Sequence, residues 1–262
     1  VNAEGFVEPT TLENALTDRT GLVGVMAANN ETGVVQPVGE LCALAHARGA
    51  LLFTDGVQAA PYLALDVKAL GVDLLSLSAH KFYGPKGSGA LYVKSGVRIG
   101  GLVTGGEQER GLRGGTLNVP AVVGFAHALE LCFKNNVERE ERISALRERF
   151  LSKVLEVEGV SLNGSLSKGE DGLPSIFNLR FEGVENTSFL YNMDLNGVAV
   201  ASGSACASAS LKPSHVLIAM GLSESQAKNS IRFSIGKDTT EEEIEYVAEK
   251  CKEILQKIRV KK

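Results

Sequence analysis

The strongest constraint on the fold is a series of short, uninterrupted apolar runs that alternate with helical stretches early in the chain. Apolar runs occupy residues 22–28, 51–54 and 73–78, and helical patterns occupy residues 38–48 and 67–70. Continuous apolar strands are typical of a sheet that is covered on both faces, whereas a sheet covered on one face alternates apolar and polar residues. The pattern therefore predicts βαβα units and a parallel sheet.

The second half of the chain has a different pattern. A helical region is expected from about residue 120 to 155, and short strands at 160–162, 176–181, 198–201 and 231–234 alternate with helices after it. A final helix is expected to begin after Thr240, which forms a capping box with Glu243, and to end near residue 258. We therefore predict two domains, 1–140 and 141–262, the second of α+β type.

Composition excludes several classes of protein. The 262 residues are 44% hydrophobic and 22% charged with a net charge of -4, and no basic block favours nucleic acid as a partner. The apolar run at 22–28 is too short to cross a membrane, and the first residues lack the features of a signal peptide, so we expect a cytoplasmic protein. The four cysteines are far apart, which argues against a metal site or a disulfide framework.

Polar residues follow two of the predicted strands. Asp55 ends the run LLFTD with Gln58 one turn later, and Ser78, His80 and Lys81 follow the run LLSLS. Ligands in parallel sheets bind at the carboxyl ends of strands. A lysine there can form a Schiff base, and a carboxylate can keep a pyridinium nitrogen protonated, as pyridoxal 5′-phosphate (PLP) chemistry requires.

Each candidate residue also has an ordinary structural interpretation when it is taken alone. Lys81 could be a surface lysine, Asp55 a helix cap, and His80 a structural histidine. Arg232 could form a surface salt bridge, and Thr116 could shape a turn. Cys42, Cys132 and Cys251 are expected to be small buried apolar residues.

Several separated segments nevertheless resemble the motifs of one family. They are MAANNETGVVQP at 26–37, TDGVQA at 54–59, SAHKFYGPKGSGALYV at 78–93, GGEQERGLRGGTLN at 105–118, SGSACASASLKPSHVL at 202–217 and SIRFSIG at 230–236. In this order they make the whole chain similar to the cysteine desulfurases of the NifS/IscS type, which are class V aminotransferase-like enzymes. The resemblance implies the α/β fold of type I PLP-dependent transferases. Its large domain of mostly parallel sheet (1–140, incomplete here) binds PLP, and its smaller domain (141–262) carries a catalytic cysteine loop.

The resemblance implies a role for each matching residue around the cofactor. Lys81 matches the lysine that forms the Schiff base, and Asp55 matches the partner of the pyridinium nitrogen. Gln58 matches the residue that hydrogen-bonds the phenolic oxygen of PLP. Ser78 and His80 match positions that bind the phosphate.

Four more residues match positions for the substrate, the neighbouring subunit and the sulfur. Asn30 matches an asparagine near the phenolic oxygen and the substrate carboxylate, and Arg232 matches the arginine that binds this carboxylate. Thr116 matches a threonine that reaches the phosphate of the neighbouring subunit, which implies a homodimer with shared active sites. Cys206, in SGSACASAS, matches the cysteine that receives sulfur from L-cysteine as a persulfide, with L-alanine as the other product.

The persulfide of such an enzyme passes to a sulfur-acceptor or scaffold protein, for iron–sulfur cluster assembly or tRNA thiolation. Two departures from the family pattern stand out. Glu107 occupies a position where the family usually has glycine, and about 120 residues of a family member would precede Val1, without which the sheet has an open apolar edge. The alternatives are therefore an inactive truncated remnant or dimerisation module, or another fold-type I enzyme such as a selenocysteine lyase or an aminotransferase.

Overall fold

The computed structural model describes residues 1–134, 136–165, 172–203 and 212–259. The chain packs as two compact units. The parallel-sheet unit contains Leu12–Ala27 and Pro37–Asn136, and the antiparallel-sheet unit contains Val1–Thr11, Ala28–Gln36 and Val137–Lys262. The units separate close to the predicted boundary at 140, but two N-terminal segments belong with the C-terminal unit. The functional roles assigned to the domains 1–140 and 141–262 remain a prediction.

The described residues form helices and strands in the following order: α1 (Pro9–Ala15), β1 (Leu22–Met26), α2 (Val38–Ala47), β2 (Leu51–Asp55), α3 (Val67–Leu70), β3 (Leu74–Ser78), β4 (Gly89–Val93), α4 (Val119–Lys134), α5 (Asn136–Val154), β5 (Val160–Asn163), β6 (Ile176–Phe181), α6 (Asn186–Leu195), α7 (His215–Ala219), α8 (Glu224–Lys228), β7 (Ser230–Ser234) and α9 (Glu241–Arg259). Short 3₁₀ helices occupy Ala79–Phe82 and Gln108–Gly111.

The sheet of the parallel-sheet unit has the strand order β1-β2-β3-β4. β1, β2 and β3 are parallel, as the continuous apolar runs predict, and β4 is antiparallel to β3. Helix α2 packs on this sheet through Leu41, Cys42 and Ala45, all buried. The sheet therefore places the carboxyl ends of three parallel strands at one edge.

The antiparallel-sheet unit is built on the strands β5, β6 and β7, with β6 in the middle. Its core contains a cluster of phenylalanine rings. Phe177 of β6 stacks on Phe233 of β7, with ring centroids 5.6 Å apart and planes within 5° of parallel, and Phe150 of α5 contacts both rings. The apolar face of the sheet is therefore covered by helix α5.

Two predicted elements differ in the structure, and one cap is confirmed. Residues 198–201 do not form a strand, since Ala201 alone makes an isolated bridge, to Arg232. The helical region expected at 120–155 contains two helices, α4 and α5. Thr240 and Glu243 form the predicted capping box, with Thr240 N–H donating to Glu243 and Glu243 N–H donating to Thr240 Oγ1.

None of the helices in the described part of the chain has the length and apolar character needed to cross a membrane.

Cys42, Cys132 and Cys251 are buried, as predicted.

A buried carboxylate connects four elements at the amino edge of the parallel sheet. Asp73 Oδ2 accepts hydrogen bonds from Leu52 N–H at 2.8 Å and from His46 Nε2 at 2.7 Å, and Oδ1 lies 3.2 Å from Lys94 Nζ. Burial raises the pKa of Asp73, but these hydrogen bonds outweigh burial, so the pKa lies below its ordinary value. The carboxylate therefore stabilises the sheet in its ionised form.

We predict that Asp73→Asn lowers the free energy of unfolding by about 1–3 kcal/mol near pH 7, because a buried set of donors loses a charged acceptor. A depressed folded-state pKa gives stability that is fully present above the unfolded pKa of about 4 and is lost as the pH falls through the folded value. In urea denaturation, the difference between the wild type and Asp73→Asn should therefore shrink in acid. The exposed Asp238→Asn is the control, and a difference that stays constant in acid would contradict the assignment.

Candidate active site

Strand β2 ends at Asp55, next to Met26 of β1 and Ser76 of β3 in the register of the sheet. Asp55 Oδ1 accepts a hydrogen bond from Val57 N–H at 2.9 Å, which turns the chain away from the strand. The side chain is exposed, and Oδ2 accepts no hydrogen bond from the described residues. Gln58 is half-buried in the turn that follows. The carboxylate is therefore available to a ligand.

Strand β3 continues directly into the 3₁₀ helix Ala79–Phe82. Ala79 and Phe82 are buried, and Phe82 contacts Phe125 edge-on, with ring centroids 5.2 Å apart. Lys81 is half-buried, and its Nζ makes neither a hydrogen bond nor an ion pair with another described residue. Two buried side chains thus fix the backbone on which a free amine is placed.

Two polar groups accompany this lysine. Ser78 Oγ lies 2.9 Å from His80 Nδ1, and His80 is exposed. A hydroxyl and an imidazole are donors suited to a phosphate, a carboxylate suits a protonated pyridine nitrogen, and a free amine suits an aldehyde. The groups of Asp55 and Lys81 that have no partner in the described part of the chain therefore fit PLP.

The loop that precedes Thr116 has an unusual backbone. Glu107, in place of the family's usual glycine, has φ -83°, which any residue adopts. Glu109 and Arg110 have φ 51° and 59°, in the left-handed region. Thr116 follows this loop and is exposed, with no side-chain hydrogen bond to the described residues. The described contacts do not bring Thr116 to the other predicted residues.

In the antiparallel-sheet unit, the structure brings together the two residues predicted to bind the substrate carboxylate. Arg232 of β7 donates from Nη1 to the backbone oxygen of Asn30 at 3.1 Å. Both residues are half-buried, and Arg232 Nε is buried without a partner among the described residues. Burial lowers the pKa of Arg232, and the nearby Glu31 opposes that shift. The guanidinium retains an unused donor.

Sequence reasoning missed one residue of this region. Glu31 is 2% exposed, and its Oε2 accepts a hydrogen bond from Ser214 Oγ at 2.6 Å. Its position between Asn30 and Thr32 in a polar segment gives no signal of burial, and nothing in the sequence places Ser214 beside it. Cys206, the predicted sulfur acceptor, lies outside the described residues.

Comparison with known proteins identifies the family. Residues 1–247 match aminotransferase class-V. The chain belongs to this family. It is 45% identical over 260 residues to a cysteine desulfurase IscS from Clostridium botulinum. The aligned region covers 99% of this chain and 65% of that relative. The chain thus spans less than two thirds of the length of this relative.

Solved structures confirm the type I fold and the resemblance to the NifS/IscS group. A NifS-like protein superposes with a TM-score of 0.88 at 35% identity, covering 98% of this chain and 67% of that one. SspA, solved in complex with cysteine, superposes with a TM-score of 0.73 at 33% identity, covering 91% of this chain and 65% of that one.

A glycine next to the lysine provides a test of this local packing. A Cβ at Gly84 would lie 3.0 Å from Ala79 Cβ, 3.1 Å from Ala79 O and 3.2 Å from Ala128 Cβ. We predict that Gly84→Ala lowers the free energy of unfolding by about 1–3 kcal/mol, because the core around the 3₁₀ helix becomes overpacked. At Gly39, an added Cβ would have no neighbouring atom within 4 Å, so Gly39→Ala should not destabilise the protein in the same urea experiment. Equal effects of the two substitutions would show that the packing at Gly84 is not restrictive.

Proposed function

We propose that this chain contributes the lysine and the cysteine of a PLP-dependent cysteine desulfurase, which converts L-cysteine into L-alanine and retains the sulfur as a persulfide on Cys206. The observation that carries the proposal is the free amine of Lys81 at the same sheet edge as the exposed Asp55, in a chain 45% identical to an IscS. The arginine in the other unit, with an unused donor, adds support.

The residues of the parallel-sheet unit hold the cofactor in this proposal. Lys81 Nζ holds the aldehyde carbon, and Asp55 keeps the ring nitrogen protonated. Ser78 and His80 bind the phosphate. When bound, PLP supplies an electron sink for the bonds at the α-carbon of the substrate. Lys81 Nζ would be the base that moves a proton at that carbon.

Three more polar residues complete the proposed cofactor site. Gln58 would donate a hydrogen bond to the phenolic oxygen of PLP through its side-chain amide, and Asn30 matches an asparagine that lies near this oxygen and the substrate carboxylate in the family. Thr116 is exposed and reaches the phosphate bound by a second copy of the chain, in a homodimer with shared active sites. An exposed hydroxyl is accessible to such a partner.

Arg232 binds the carboxylate of L-cysteine. Its Nη1 donates to Asn30 O, and Nε is buried without a partner among the described residues, so the guanidinium keeps a donor for a ligand. Partial burial reduces the competition from water, which strengthens a charge-assisted hydrogen bond. In this proposal Asn30 has two roles, since its backbone oxygen orients Arg232 and its side chain would contact the same carboxylate.

The sulfur is transferred by attack of a thiolate. The thiolate of Cys206 attacks the sulfur of L-cysteine, and a sulfur–sulfur bond forms as the carbon–sulfur bond breaks. The electron pair of the broken bond remains on carbon, which takes up a proton and becomes the methyl group of L-alanine. The persulfide then passes to a sulfur-acceptor or scaffold protein, for iron–sulfur cluster assembly or tRNA thiolation.

We predict that Lys81→Ala abolishes covalent attachment of PLP. The purified protein is incubated with PLP, reduced with borohydride and digested, and the modified peptide is identified by mass spectrometry. The wild type should carry the cofactor on the peptide that contains Lys81, because reduction fixes the link between the amine and the aldehyde. The exposed neighbour Lys86 supplies the control Lys86→Ala, which should remain modified at Lys81. Modification of another lysine to the same extent would refute the assignment.

We predict that Cys206→Ala reduces alanine formation from L-cysteine by about 100-fold or more, because no other group replaces the sulfur acceptor. Alanine is measured by chromatography, and persulfide is measured as the sulfide released by a reducing agent. Cys251→Ala is the matched control, since burial raises the pKa of the Cys251 thiol and makes it inert. Alanine formation at the full rate in Cys206→Ala would favour a different fold-type I reaction.

A further inference from the structure

The segment after Asn29 buries an acidic side chain in a fixed backbone. Glu31 is 2% exposed. Its N–H donates to Asn29 Oδ1 at 2.8 Å, and its carbonyl oxygen accepts from Asn178 Nδ2 of β6 at 3.4 Å. Asn178 Oδ1 in turn accepts from Asn163 Nδ2 of β5 at 2.8 Å. The backbone of Glu31 is thus attached to the antiparallel sheet, and its carboxylate has a defined position.

The carboxylate of Glu31 contacts two segments that are separate in sequence. Ser214 Oγ donates to Oε2 at 2.6 Å and accepts from Leu217 N–H at 3.3 Å, as the N-cap of α7. A Cβ added at Gly203 would lie 3.2 Å from Oε2 and 3.7 Å from Cδ, so Gly203 lies beside the same carboxylate and a larger residue there would press against it. One buried group therefore meets both segments.

These two contact points flank residues 204–211, which include Cys206. On the N-terminal flank, Ala201 also pairs with Arg232, since Ala201 N–H donates to Arg232 O at 3.1 Å and Arg232 N–H donates to Ala201 O at 2.6 Å. The N-terminal flank is thus hydrogen-bonded to β7 through Ala201 and lies beside the carboxylate at Gly203, and the C-terminal flank is hydrogen-bonded to the carboxylate through Ser214.

Burying a carboxylate beside a loop is energetically unfavourable. Burying a charged group costs several kcal/mol unless hydrogen bonds and opposite charge compensate for it. Of the two oxygens of Glu31, only Oε2 accepts a hydrogen bond from another described side chain, and the opposite charge comes from Arg232. An apolar side chain could fill the same space. It could not accept the hydrogen bond that Ser214 donates, so this bond is the specific contribution of Glu31.

We propose that Glu31 is a positioning residue that holds Gly203 and Ser214 at a fixed separation and so sets the two ends of the segment that carries Cys206. The catalytic consequence rests on the proposed function, since it matters only where Cys206 is the sulfur acceptor. A nucleophile must approach the atom it attacks within a narrow range of distance and direction, and a displacement of about 1 Å can cost about 100-fold in rate. Glu31 acts through the backbone and touches neither substrate nor cofactor.

Hydrogen exchange measured by mass spectrometry tests the contact without relying on activity. In Glu31→Ala, the amides of Ala201 and Leu217 should exchange about tenfold faster, because both flanks lose their common anchor, while the amides of β6 remain protected. Glu31→Gln keeps an oxygen that accepts from Ser214 and should exchange like the wild type. Glu185→Ala, with an exposed carboxylate in the same unit, is the matched control.

A second variant covers the case in which Glu31→Ala does not fold. Ser214→Ala removes the hydroxyl that donates to Glu31 and should speed exchange at Ala201, on the opposite flank, because the two flanks share one anchor. Unchanged exchange at Ala201 in Ser214→Ala, or at both flanks in Glu31→Ala, would overturn the proposal.

Steady-state kinetics test the catalytic consequence. Glu31→Ala should lower kcat for alanine formation by about 10- to 100-fold, with KM for L-cysteine changed less than about threefold, since substrate binding belongs to Arg232. Glu31→Gln should restore kcat to within about threefold of the wild type. A kcat of Glu31→Ala equal to that of the wild type would refute the positioning role. If the wild type itself forms no alanine, the proposed function fails, and hydrogen exchange still decides whether Glu31 holds the two flanks.

Discussion

The register between β2 and β3 determines where the candidate cofactor residues lie. Asp55 is opposite Ser76, and β3 extends two residues further before the 3₁₀ helix that carries Lys81 begins. Because the strands are parallel, their carboxyl ends meet at one edge, and the acid and the amine lie there although they are far apart in sequence. A slip of one residue would turn every side chain of the strand to the other face. The register of β2 therefore determines the position of Asp55 as well as the packing of the strand.

The two edges of this sheet satisfy their polar groups differently. At the amino edge, the Asp73 carboxylate receives hydrogen bonds from His46 and from the backbone and faces Lys94, so the chain itself uses its charge. At the carboxyl edge, Lys81 Nζ and Asp55 Oδ2 have no partners among the described residues. Stability is concentrated where no ligand is expected, and unused hydrogen-bonding capacity is concentrated where parallel sheets bind ligands.

The sequence predicts the elements well wherever local rules are sufficient. Uninterrupted apolar runs located β2 and β3, and the capping box at Thr240 located the start of α9, because both signals are local. The run at 198–201 failed as a strand: it has the composition of one, but only Ala201 finds a pairing partner. Glu31 could not be found, because its burial depends on Ser214, which lies 183 residues away. Local pattern identifies strand ends, whereas tertiary contact decides which polar side chains are buried.

The antiparallel-sheet unit separates two opposite charges that a simpler core would have paired. Arg232 donates to the backbone oxygen of Asn30, and Glu31 accepts from Ser214, so each bonds to a neutral group. Burial lowers the pKa of Arg232, and the negative charge of Glu31 opposes that shift without occupying the guanidinium. A direct ion pair would consume donors that are otherwise available to an anionic ligand. Because Glu31 does not bond to the guanidinium, Arg232 Nε has no partner among the described residues and is a donor suited to an anionic ligand.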